Sequence, residues 1–208
     1  MMNFELSDDT LMLRDMLRRF VQKEARPLEM DYFNTGVLKP EVRARLRKSI
    51  EQLGLWGIMA PEEFGGGGLD SVTACVIEEE LGGTFIPLDL GGISPLLYAC
   101  QGEQVRRYLE PALEGSRKAV IAAREPGPEG VRPEAWKTTA APTESGWLLN
   151  GRKVLSVSPG ANDFLIVLAD VSSQADARAG QHTAFLLELD APGLTVTNHG
   201  VPALELND

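Results

Sequence analysis

Residues 122–162 read AAREPGPEGVRPEAWKTTAAPTESGWLLNGRKVLSVSPGAN. Just before and into this stretch, residues 119–123 form a short apolar run that reads as a strand. Glu125-Pro126-Gly127 ends it. Proline fixes φ and glycine permits the turn, so the local chemistry is that of a strand-ending corner. Residues 138–142 and 147–150 then flank Glu144-Ser145-Gly146, a hairpin signal. After Asn150-Gly151-Arg152-Lys153, residues 153–158 are a further strand candidate. Its alternation places Leu155 and Val157 on one face and Ser156 and Ser158 on the other. Residues 164–169, 183–189 and 194–198 are also strand candidates, and residues 171–181 read as an exposed loop.

Upstream the period is helical. Ser7 or Asp8 caps a helix with Leu13, Leu17, Phe20 and Val21 inward, ending near Arg26-Pro27. Pro40 opens a second helix carrying Val42, Leu46, Ile50 and Leu53 on one stripe, with Gly54 as its stop. Asp70 or Ser71 caps a third, with Val72, Val76 and Leu81 inward. A short apolar helix over residues 93–100 follows. The last helix spans residues 103–113, with Val105, Leu109 and Leu113 inward. Helices followed by strands define an α+β chain: an all-helical domain over residues 1–118, then a β-barrel-like domain over residues 119–208.

Composition narrows the function classes. A chain of 208 residues with 43% hydrophobic and 24% charged residues can bury a real core. Its net charge of −10 argues against broad nucleic-acid or anionic-membrane binding, which needs basic patches. No apolar run is long enough to span a bilayer, and the acidic N-terminus is unlike a signal peptide. A cytoplasmic location is expected. Cys75 and Cys100 read as reduced core thiols. His182 and His199 stand too far apart for a helical metal pair, so no structural metal is expected.

Other motifs read as structure. Gly65 to Gly68 lacks the Gly-Lys-Ser/Thr of a phosphate loop and is followed by Leu69-Asp70, so it is a tight interhelical loop. Glu78-Glu79-Glu80 point in different directions on a helix, as solvated positions do. Arg43, Arg45, Arg47 and Lys48 form a second solvated group.

Five segments in order carry a family resemblance. They are Leu53-Gly54-Leu55-Trp56-Gly57-Ile58 with Pro61-Glu62-Glu63-Phe64-Gly65-Gly66, then Glu78-Glu79-Glu80-Leu81-Gly82, then the run from Arg106 to Gly115 (RRYLEPALEG), then Arg124-Glu125-Pro126-Gly127, and finally Leu149-Asn150-Gly151-Arg152-Lys153. The chain resembles the acyl-CoA dehydrogenase family along nearly its whole length. The resemblance implies FAD as cofactor, an acyl-CoA thioester as substrate, α,β-desaturation as the reaction, an electron-transfer acceptor, and an oligomer. On that alignment Ala123, Arg124, Leu155, Ser156 and Val157 face the flavin. Gly130 takes the place of a serine that contacts the CoA arm.

Departures from the family pattern are equally specific. Arg124 stands where the family commonly has a threonine before Glu-Pro-Gly. Leu155-Ser156-Val157 stands where it often has Trp-Ile-Thr. The family's catalytic glutamate belongs to a third, helical domain, and the 208 residues match only the first two. No glutamate of this chain is therefore named a catalytic base, and the 208 residues by themselves are expected to be inactive without that domain or a partner that supplies it. Two other readings keep the fold and change the chemistry: a non-catalytic scaffold or partner subunit, and a flavin monooxygenase or nitroalkane-oxidase-like member.

Overall fold

A computed structural model describes residues 5–144, 146–171 and 182–197. The described chain falls into two compact units that part at Gly92 and Ile93.

The first unit is helical. α1 (Asp8–Phe20) starts at Ser7, whose Oγ accepts from the Thr10 amide at 3.2 Å. Asp8 and Asp9 in its first turn and Arg18 and Arg19 in its last complement the helix dipole. Leu17, Phe20 and Val21 are buried. The chain does not leave the helix at Arg26-Pro27. It continues through a π-helical turn (Val21–Ala25) and a 3-10 turn (Arg26–Leu28) into α2 (Glu29–Thr35). Pro27 sits in the first turn of its own short segment, where its missing N–H costs nothing. Gly36, at φ 67°, ends the run.

α3 (Pro40–Gln52) buries Leu46 and Ile50 and stops as expected before Gly54, at φ 70°. On its outer face Arg47 pairs with Glu51 at 2.9 Å and lies 4.1 Å from the Trp56 ring centre. The glycine run folds tightly back on the preceding loop. The Gly67 amide donates to the Ile58 carbonyl and the Gly68 amide to the Ala60 carbonyl. A Cβ on Gly66 would lie 1.9 Å from the Ala60 carbonyl oxygen, so only glycine fits.

α4 (Ser71–Leu81) is capped by Asp70, whose Oδ1 accepts from the Thr73 amide at 2.7 Å. Its buried stripe is Thr73, Val76 and Ile77, rotated from the expected one, and Val72 is 59% exposed. The cause is polar as well as apolar: Thr73 Oγ1 meets Thr10 Oγ1 at 2.9 Å between α1 and α4. Cys75 is exposed, contrary to a core thiol, while Cys100 is half-buried. Glu80 is likewise not simply solvated, because it forms an ion pair with Arg18 of α1. Leu17, Ile50, Leu55 and Ile77 centre the unit's core.

The second unit opens with a 3-10 turn (Pro95–Ala99) and a helical run over residues 103–113 that ends in α5 (Glu110–Leu113). In that run Tyr108, Leu109 and Ala112 are buried; Val105 and Leu113 are only half-buried. The strands are β1 (Ala119–Ala122), β2 (Thr139–Thr143), β3 (Gly146–Asn150), β4 (Phe164–Val171) and β5 (His182–Glu188). β4 is central. It runs parallel to β1 and, at its far end, to β2, and antiparallel to β5 on its other side; β2 and β3 form the expected hairpin.

The result is a mixed five-stranded sheet, and among the described residues no pairing closes it into a barrel. Both faces of β4 are buried. Leu165 and Val167 join Val120 and Ala122 in one cluster, while Phe164 lies 4.8 Å from the Tyr108 ring on the other face. Arg117 secures that side, donating to the Asn162 and Arg107 carbonyls and pairing with Glu188 at 2.6 Å.

Two expected strands are not strands. Residues 153–158 run as irregular chain with a bend at Ser156-Val157, and residues 194–197 are irregular. Neither forms a ladder, although Leu155 and Leu194 still pack against the sheet cluster. The loop over 172–181, His199 and the last residues of the 194–198 candidate lie outside the described residues.

Candidate functional site

The corner after β1 is organised around a buried carboxylate. Glu125 Oε2 accepts from the Lys137 amide and Oε1 from the Thr138 amide, each at 2.8 Å. Lys153 Nζ reaches the same carboxylate at 3.1 Å, and both side chains are only 8% exposed. The ammonium donates also to the Ala123 carbonyl at 3.0 Å and sits 4.1 Å from the Trp136 ring centre. Trp136 Nε1 in turn donates to the Gly130 carbonyl at 3.1 Å, which also accepts from the Glu125 amide at 3.0 Å.

Burial pushes the Glu125 carboxyl toward the neutral form. Contacts from Thr138, the amides of Lys137 and Thr138, and Lys153 outweigh it and hold the pKa at about 2. Burial lowers the Lys153 pKa, and Glu125 partly offsets that effect. The Glu125 carboxyl is therefore ionised at neutral pH, and the amides and Lys153 supply what it lost from water.

This knot joins the two segments that the sequence singled out. The Val154 amide donates to the Arg124 carbonyl at 2.8 Å, setting residues 123–124 beside residues 153–155. Ala123 and Leu155 are half-buried; Arg124, Ser156 and Val157 are exposed. Neither the Arg124 guanidinium nor the Ser156 hydroxyl has a partner among the described residues. Gly130 is buried, its Cα against the Glu125 carbonyl.

The Glu125–Lys153 pair and Trp136 were not anticipated as a unit. Glu125 reads as part of a turn and Lys153 as part of a hairpin exit, 28 residues apart. The signal available was chemical: a lone lysine entering a hydrophobic strand-like run, with a lone glutamate at a strand end.

Among the described residues no cluster of three or more His, Cys, Asp or Glu could hold a metal ion. None of their helices is long and apolar enough to cross a membrane.

Residues 7–116 match the family model described as acyl-CoA dehydrogenase, N-terminal domain. The (R)-benzylsuccinyl-CoA dehydrogenase of Thauera aromatica is 30% identical to this chain, over 94% of the chain and 52% of that protein. Benzylmalonyl-CoA dehydrogenase of Aromatoleum aromaticum is 31% identical, over 94% and 51%. The solved structure of an acyl-CoA dehydrogenase complexed with FAD from Bacillus anthracis matches with a TM-score of 0.64 at 26% identity, over 95% of this chain and 34% of that one. The chain spans about half the length of the curated relatives it matches. It belongs to the acyl-CoA dehydrogenase family.

Proposed function

We propose that this chain forms the helical and β parts of a FAD-dependent acyl-CoA dehydrogenase-like oxidoreductase. The observation that carries this reading is the pairing of residues 123–124 with residues 153–155 through the Val154–Arg124 hydrogen bond. It sets half-buried Ala123 and Leu155 beside exposed Arg124, Ser156 and Val157. A flavin has an apolar ring system edged by polar atoms, and these residues suit it. Leu155 and Val157 supply apolar contact, Ser156 a hydroxyl, and Arg124 a donor-only cation for ring or phosphate oxygens.

When bound, FAD would accept the hydride from the acyl β-carbon. This chain's part is to hold and orient the cofactor and to exclude water on one side of it. Gly130 carries no side chain for the CoA arm, and its main chain is committed to Glu125, Gly127 and Trp136. No glutamate among these residues is assigned the base, and the greater length of the relatives supports its lying elsewhere.

The substrate is an acyl-CoA. The names of the two relatives favour an aromatic acyl group over a straight-chain fatty acyl group. An electron-transfer acceptor, an oligomeric assembly and a cytoplasmic location complete the reading, with domains at 1–118 and 119–208. The family match ending at residue 116 supports that boundary, while in the structure residues 93–118 pack with the sheet in the second compact unit.

Titration of the intact protein with FAD, followed by aliphatic and aromatic acyl-CoAs, tests the reading. Saturable flavin binding is expected, with acyl-CoA-dependent bleaching once a helical domain that carries the base is supplied. Absence of flavin binding would overturn it. Binding without bleaching by any acyl-CoA even with that domain present would favour the scaffold or monooxygenase-like alternatives, because Gly130 carries no side chain for the CoA arm.

A further inference from the structure

We infer that Lys153 and Glu125 are positioning residues: a buried ionic latch that holds the two flavin-facing segments, 123–124 and 155–157, in one wall. The inference rests on the reading that these segments face FAD.

The latch is defined by connectivity. Residues 153–158 belong to no strand, so no ladder fixes them. What ties their start to the end of β1 is the Val154–Arg124 backbone bond and the single ammonium of Lys153, shared between the Ala123 carbonyl and Glu125. Glu125 extends the tie to the start of β2 through the amides of Lys137 and Thr138. Trp136 closes the circuit, under Lys153 by its ring and on Gly130 by its indole N–H. Three stretches of chain, 123–125, 136–138 and 153–154, thus meet at one charge pair.

Neither charged group can face the cofactor itself, since both are buried and committed to protein partners. Their neighbours in sequence are the exposed ones: Arg124 precedes Glu125, and Ser156 and Val157 follow Lys153 within four residues. A group that fixes main chain one to four residues from a contact surface controls that surface without touching the ligand.

Removing Lys153 alone strands a buried carboxylate and an unpaired Ala123 carbonyl, which confounds folding with positioning. Removing both charges lifts the stranded charge, while the Ala123 carbonyl and one of the two amides on Glu125 stay unpaired, so K153R is the variant that keeps the corner intact.

The experiment compares K153M, K153R and the double variant E125Q/K153M with the intact wild-type protein. It reads thermal midpoint, FAD dissociation constant and the visible circular dichroism of bound flavin. The double variant should lose less stability than K153M, bind FAD roughly tenfold more weakly or worse, and change the flavin dichroism. K153R, which keeps the charge, should recover most of the affinity; K153M should lose both stability and affinity.

A double variant that folds normally, binds FAD with the wild-type constant and gives the wild-type dichroism would overturn the latch. If instead the double variant does not fold, a folded K153R with wild-type affinity and dichroism supports the latch. K153R that folds normally but recovers neither counts against it. Failure of the wild-type protein to bind FAD would sink the flavin reading and the latch together, a result distinct from wild-type binding that the variants leave unchanged.

Discussion

Gly130 is wedged against Glu125: a Cβ on Gly130 would lie 1.8 Å from the Glu125 carbonyl oxygen. The contact is backbone on backbone, so no side chain can swing aside. Gly130→Ala should therefore destabilise the second unit by about 2 kcal/mol or more, as forced overpacking does. Chemical denaturation measures it, and a change within experimental error would show that the corner relaxes freely.

Acid should loosen the same corner. The Glu125 pKa lies at about 2 in the folded chain, below the ordinary 4.5. A depressed carboxyl pKa contributes stability that is fully present above the unfolded value. That contribution is lost as pH falls from about 4.5 through about 2. Thermal midpoints measured across that range should fall for the wild type. Glu125→Gln should fall less steeply, being already weakened at neutral pH. Parallel curves for the two proteins would contradict the role given to Glu125.

The face of α4 can be read by paired truncations. Ile77 is fully buried and Val72 is 59% exposed. Ile77→Ala should cost about 2–5 kcal/mol by lost burial and the cavity left behind. Val72→Ala should stay within about 0.5 kcal/mol. Urea denaturation of both variants decides; equal losses would mean the helix is rotated toward the stripe expected from spacing alone.

Arg124 separates binding from folding. Its guanidinium is exposed and has no partner among the described residues, so Arg124→Ala should leave the thermal midpoint unchanged. On the proposed flavin reading, FAD affinity should drop by about tenfold as a charge-assisted contact is lost. Isothermal titration provides the comparison. Unaltered affinity would place Arg124 outside the cofactor contact.

Much of the architecture was legible in the chain itself. Ser7 and Asp70 are caps because short polar side chains before apolar periodicity satisfy free amides. The hairpin of β2 and β3 follows from Glu144 and Gly146 between two alternating runs. Pro27 misled because a proline that breaks one helix can equally open the next. Val72 misled because the spacing of apolar residues ignores a threonine. The Thr73 hydroxyl, paired with Thr10 of another helix, turned the buried stripe by one residue.

The site divides in the same way. The sequence by itself marked 123–130 and 150–157 as the candidate segments, and showed that glycine and proline would shape the corner, since backbone limits are local. Only the tertiary structure decided that residues 153–158 form no strand and that Glu125 is buried. It alone joined Glu125 to Lys153. Burial and pairing depend on which distant groups arrive at the same place. A carboxylate read alone is a surface charge; beside two amides and an ammonium, away from water, it becomes the centre of the corner.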